Sequence, residues 1–211
     1  MAIEGRTFQE VFEEVQNRAR ANLPDQVVHV AALKLTPSGE IDHDGRRFRM
    51  TEWARKQLGA FLGLSRWGKW FQTTSADERA DEITRRLSRI PGKLKIRATR
   101  ATDGNVDGTI RAVLAERFTP IDDVKILGAM DKLLGRALDS FRFQRVDVTA
   151  STTHYSAIQL DARNIEKGDI VPGWHMRNSE VGASAFTIDE YWMTLVCKNG
   201  KVLADCTPAD G

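Results

Sequence analysis

The chain has 211 residues, 41% of them hydrophobic and 28% charged, which is ordinary for a globular protein and long enough to bury a core without disulfides or a structural metal. No run reaches the roughly 18 apolar residues of a membrane span, and the N-terminal residues lack a signal-like apolar region, so a cytoplasmic protein with no membrane contact and with Cys197 and Cys206 reduced is expected. The net charge of +2 hides a segregation: residues 1–45 carry −4, residues 46–100 carry +10 and residues 101–211 carry −4, a pattern that points to a partner for the basic middle.

Thr7-Phe8-Gln9-Glu10 spells a capping box and predicts a helix to about Ala21, with Phe8, Val11, Phe12, Val15 and Ala19 forming its apolar stripe. Residues 27–35 and 46–50 read as strands joined by an irregular link through Pro37-Ser38-Gly39. Thr51 caps a short helix with Trp53, Leu58, Phe61 and Leu62 expected inward. Ser75 and Glu78 form a second capping box, opening a helix with Ile83, Leu87 and Ile90 on one side, and Pro91-Gly92 ends it. Residues 94–101 and 109–118 alternate around Asp103-Gly104-Asn105, a hairpin pattern that puts Lys95, Arg97 and Arg111 on its exposed face. Asp122 or Asp123 caps a helix to about Leu138, with Val124, Leu127, Met130, Leu134 and Leu138 inward. Strands are predicted at 146–150, 155–162, 174–178, 185–188 and 191–197, and after an Asn199-Gly200 turn at 201–204. The expected fold is a single α+β domain over residues 1–211. A curved antiparallel sheet with a central hairpin packs on three to four helices, with a basic segment at 46–100 and a β-rich part at 145–204.

No HExxH, Cys-x-x-Cys, phosphate loop, dinucleotide fingerprint or serine elbow is present, so neither a cofactor nor a resident metal is expected, and no catalytic residue is assigned. His29, His43, His154 and His175 are scattered, and only His43 has carboxylate neighbours, Asp42 and Asp44. That triplet is the sole basis for a lesser alternative, a metal-dependent nuclease. The basic middle is more informative. Arg46, Arg47, Arg49, Arg55, Lys56, Arg66 and Lys69 are interleaved with Phe48, Trp53, Trp67, Trp70 and Phe71, the mixture of cations and rings that a single-strand groove requires. Arg85, Arg86, Arg89, Lys93, Lys95, Arg97, Arg100 and Arg111 extend the positive charge from a helix onto the hairpin, and Trp67 and Trp70 are the candidates for base stacking or a subunit contact. Asp81 and Glu82 are placed to pair Arg85 and Arg86 at i,i+4 spacing.

The stretch Gly173-Trp174-His175-Met176-Arg177-Asn178-Ser179-Glu180-Val181-Gly182, followed by Leu195-Val196-Cys197-Lys198-Asn199-Gly200, resembles the signature of a phage- and plasmid-borne family catalogued as a domain of unknown function. Lys95-Ile96-Arg97 and residues 109–122 are similar to its central part. The turn residues carrying the resemblance are Asn178, Ser179, Glu180, Gly182, Cys197, Asn199 and Gly200. The resemblance implies a mobile-element context and transfers no activity. Such elements encode annealing proteins of DNA recombination. The function expected from charge and context is therefore ATP-independent binding and annealing of single-stranded DNA by a homo-oligomer, and the rival is a non-enzymatic interaction or assembly module.

Overall fold

The computed structural model describes residues 5–64, 70, 72–160, 170–195 and 202–204. Its elements follow in chain order as α1 (Phe8–Ala19), β1 (Gln26–His29), β2 (Lys34–Leu35), β3 (Ile41–His43), β4 (Arg46–Met50), α2 (Glu52–Phe61), α3 (Ala76–Leu87), β5 (Lys93–Arg100), β6 (Gly108–Ala115), α4 (Asp123–Leu134), β7 (Phe141–Val148), β8 (Thr153–Gln159), β9 (Ile170–Asn178), β10 (Thr187–Leu195) and β11 (Val202–Ala204). This is an α+β fold with two sheets. Where one domain was expected, the contacts gather into two compact units, one of Met1–Ala19 with Ile121–Gly211 and one of Arg20–Pro120. No change of composition at Arg20 or Pro120 marks the passage between them.

In the Arg20–Pro120 unit the six strands run in the order β1-β5-β6-β4-β3-β2. The two edge strands are neighbours in sequence, and that forces the shape. His29 to Lys34 is five residue steps, at most about 18 Å of chain, whereas the edges of a flat six-stranded sheet lie about 24 Å apart. The sheet therefore curls into a half-barrel, and a 3₁₀ turn at Val30–Ala32 crosses its open side. Its concave side is apolar: Ile41, Phe48, Ile96 and Ile110 share one cluster with Ala54 and Leu58 of α2 and Ile83 and Leu87 of α3.

Local chemistry sets the register. Asp44 (φ 53°) and Gly45 (φ 78°) make the two-residue turn that joins β3 to β4, where the sequence reading expected an irregular link. β4 then pairs parallel with β6, which makes this sheet mixed instead of wholly antiparallel. A bulge sits between Arg97 and Ala98, opposite Arg111, and α2 fixes it: Gln57 Oε1 accepts the Val113 N–H at 3.0 Å, and the Thr51 hydroxyl donates to the Arg111 carbonyl at 3.2 Å. Both capping boxes form. Glu10 N–H donates to Thr7 Oγ1 at 3.2 Å and Glu78 N–H to Ser75 Oγ at 3.3 Å. Phe61 and Leu134, expected inward, are instead 41% and 46% exposed because each lies in the last residue of its helix, α2 and α4 respectively.

In the other unit, five antiparallel strands run in the order β11-β10-β9-β8-β7. Residues 187–195 form one strand where two were expected. One face packs on α1 and α4 around Phe143, whose ring meets Trp174 edge-on at 5.3 Å and Tyr155 at 6.3 Å. The opposite face holds a small apolar cluster of Ile158, Val171 and Met193 with Tyr191 partly buried against it.

Two glycines separate steric need from mere tolerance. A Cβ at Gly108 would meet the Thr99 carbonyl oxygen at 2.4 Å, while at Gly128, inside α4, it would only touch Phe12 at 3.6 Å. Gly108→Ala should destabilise by about 1–3 kcal/mol, and Gly128→Ala should stabilise by up to about 1 kcal/mol as a helix-interior glycine is removed. Urea unfolding midpoints measure both, and equal effects at the two sites would contradict the packing described.

Candidate nucleic-acid interface

Alternation along the curled sheet sends Leu94, Ile96, Phe48 and Met50 to the core, and places Lys93, Lys95, Arg97, Arg47, Arg49 and Lys34 on the convex side. The sequence thus brings cations from three strands to one face. How many remain available is decided by burial and by carboxylate partners.

Arg97 is withdrawn. It is buried, and its Nε donates to Asp25 Oδ1 at 2.9 Å, so it is not the exposed phosphate holder that the hairpin pattern suggested. The reason is the preceding segment: the Leu23 N–H donates to the Ala98 carbonyl and the Arg100 N–H to the Ala21 carbonyl, each at 2.8 Å, which lays residues 21–25 along β5. From the same segment Asn22 Oδ1 accepts from Arg111 at 2.9 Å. The Lys95 ammonium donates to the Phe118 carbonyl.

The hairpin arginines are held loosely. Arg46 pairs with Asp107 at 3.3 Å, Arg47 with Glu40 at 3.7 Å, and Arg49 with Asp103, each guanidinium about half exposed. Asp103 and Asp107 are held below the usual carboxylate range, Asp103 first by the Arg49 guanidinium and Asp107 first by the Arg47 backbone N–H. On α3, Arg85 and Arg86 share the single carboxylate of Glu82, with Arg85 Nε at 2.9 Å and Arg86 Nε at 2.6 Å. Two cations on one carboxylate leave one positive charge uncompensated. Exposed ion pairs contribute about 0–1 kcal/mol, so exchanging such a carboxylate for a phosphate costs little. Arg89, Lys93 and Arg100 are exposed and have no ion-pair partner among the described residues.

The aromatic half of the expectation is less fully placed. Trp70 is half-buried and packs against the core of this unit, while Trp67 and Phe71 lie outside the described residues. Asp42 and His43 face opposite sides of β3, and the one carboxylate paired with His43 among the described residues is Asp44, at 3.6 Å. Among the described residues no group of three or more His, Cys, Asp or Glu is arranged to hold a metal ion.

The turn motif does a different job. Asn178 is buried, and its amide donates to Asp123 Oδ1 at 2.7 Å and to the Ile121 carbonyl at 2.8 Å. Glu180 Oε1 accepts the Asp123 N–H at 3.1 Å, which satisfies the first turn of α4 in place of a side-chain cap from Asp122. Ser179 Oγ donates to the Ser151 carbonyl at 2.6 Å and accepts the Ala183 N–H at 2.7 Å, and Gly182 takes φ 74°. Arg18 reaches Asp123 at 3.9 Å and the Tyr155 hydroxyl at 3.4 Å. Burial, then the Asp123 charge, pushes the Tyr155 phenol far up. Asn178, Ser179, Glu180 and Gly182 therefore fasten a helix to a sheet. Cys197, Asn199 and Gly200 lie outside the described residues.

No family model, curated protein or solved structure matches the chain.

Asn178→Ala should cost about 1–3 kcal/mol, because it strips a buried carboxylate of a donor, whereas Lys93→Ala and Arg100→Ala should stay within about 0.5 kcal/mol of the parent. Urea denaturation distinguishes the two classes.

Proposed function

We propose that the Arg20–Pro120 unit binds single-stranded nucleic acid, DNA in the first instance, through its convex face and the adjoining end of α3, without nucleotide hydrolysis. The observation that carries this is charge segregation on a formed surface. Residues 20–120 hold 19 Lys/Arg against 12 Asp/Glu, net +7, while residues 1–19 and 121–211 together hold 12 against 17, net −5. The contact set consists of Arg89, Lys93 and Lys95, with Arg47, Arg49 and one of Arg85 and Arg86 available by exchange, whereas Arg46 and Arg100 alternate to the side of Phe48 and Ile96 and are not part of it. Arg97 and Arg111 position the face. Trp67 and Trp70 supply the preference for unpaired bases. A strand-annealing role in a mobile element, exercised as a homo-oligomer in the cytoplasm, is the fuller form of this reading.

A second reading, an assembly module, is favoured by a different surface. Ile170, Ile188 and Trp192 continue the helix-packed face of the second sheet, yet are 65%, 53% and 57% exposed. Light scattering across a concentration series, with Trp192→Ser as control, tests that surface: self-association abolished by the substitution is the expected result.

Neutralising about five phosphates of a single strand gives a log–log salt slope near −3.5, and hence about a hundredfold weaker binding at 200 mM than at 50 mM salt. Fluorescence anisotropy with labelled single- and double-stranded oligonucleotides should show that slope and a single-strand preference. Replacing Arg89, Lys93 and Lys95 by Gln should flatten the slope by about 2. Salt-independent binding, or an unchanged slope in the triple variant, would sink the proposal.

A further inference from the structure

The face of the second sheet opposite α1 and α4 carries a polar patch that the preceding reading does not use. Two rows cross it. Asp147, His154, Arg177 and Thr187 lie opposite one another on β7, β8, β9 and β10, and beside them lie Arg145, Ser156, His175 and Asp189. The His154 and His175 rings are near-parallel, with centroids 5.6 Å apart and planes inclined by 20°.

The charged side chains of this face are Arg145, Asp147, Arg177 and Asp189. Arg145 pairs with Asp147. Arg177 makes no ion pair among the described residues, and its Nε is shielded from solvent without a hydrogen-bond partner. With both imidazoles neutral, Arg177 and Asp189 balance and the patch is uncharged overall. With both protonated it carries two positive charges, held close enough to repel each other. Burial, followed by the neighbouring His154 and then Arg177 and Arg145 against the opposing pull of Asp189, lowers the His175 pKa and keeps that ring neutral near pH 7.

We propose that this patch is a proton-gated site for a doubly charged tetrahedral oxyanion of the phosphate or sulfate class, seated over His154, His175 and Arg177. A dianion supplies the charge that two adjacent imidazoliums lack and offers acceptors to the Arg177 guanidinium beside them. By reciprocity, an anion that binds the protonated face more tightly must raise the His175 pKa. The site is built wholly from residues of the second sheet and does not depend on the function proposed for the Arg20–Pro120 unit.

Sulfate is the first probe because it does not titrate between pH 5.5 and 7.5. Ring-proton NMR of the full chain should show saturable sulfate-dependent shifts of both His154 and His175 at pH 5.5, at least tenfold tighter than at pH 7.5, and absent in Arg177→Gln. The same shifts in chloride at matched ionic strength, non-saturating shifts, or affinity independent of pH would each overturn the site. Displacement of sulfate by inorganic phosphate alone identifies a free anion as ligand, displacement by a short oligonucleotide identifies a nucleic-acid phosphate, and displacement by neither overturns the phosphate assignment. Thermal unfolding gives a readout independent of the variant. The folded state disfavours protonated His175 whereas the unfolded chain takes the proton near pH 6.5, so stability is full above that pH and falls as the pH drops through the lowered folded value. Added sulfate should restore the melting temperature at pH 5.5 and leave it unchanged at pH 7.5.

Discussion

The short chain between β1 and β2 is the constraint on which the Arg20–Pro120 unit depends. Five residue steps join the two edges of a six-stranded sheet, and a connection that short is compatible only with a strongly curled sheet. Curling gives the sheet an inside, and α2 and α3 supply the apolar side chains that fill it. Because alternate residues of a strand face opposite ways, filling the inside with Ile96, Phe48 and Ile110 drives Lys95, Arg47 and Arg49 outward. The placing of cations on the convex side is thus a geometric by-product of closing the half-barrel.

Sequence spacing identifies which cations share a face, but burial and pairing decide which of them can do anything there. Arg97 and Lys95 are two residues apart on one strand and look equivalent in the sequence. The segment at residues 21–25 lies over the former and brings Asp25 to it, a contact across 72 positions. A partner that distant is invisible to local pattern. By contrast, the Glu82–Arg86 pair follows from i,i+4 spacing alone, while Arg85, spaced for Asp81, turns to Glu82 at i,i+3 instead.

The same division runs through the fold. Elements set by local chemistry were legible: both capping boxes, the α2 start at Thr51, the alternating β5 and β6, and the class as a whole. Asp44-Gly45 belongs with these, since an Asp-Gly pair flanked by short strands is a hairpin signal where an irregular link was expected. The parallel pairing of β4 with β6, the bulge at Arg97 and the division into two units were not legible, because each is a choice among long-range partners that the local sequence permits equally. The His154 and His175 pair belongs to this second kind: 21 positions separate residues that register places diagonally across two strands.

What the turn motif does changes where function should be sought. Asn178, Ser179, Glu180 and Gly182 carry the resemblance in the C-terminal half, and such polar residues can serve either a turn or a bound partner. Each polar group here is occupied internally, by Asp123, the first turn of α4, Ser151 or Ala183. A buried Asp123 needs its donors, since an uncompensated carboxylate away from water costs more than any single hydrogen bond returns. The motif is therefore explained by the burial of one charge. The groups left for recognising a partner are those the fold leaves under-satisfied: the exposed cations of the convex face, and Arg177 beside its two imidazoles.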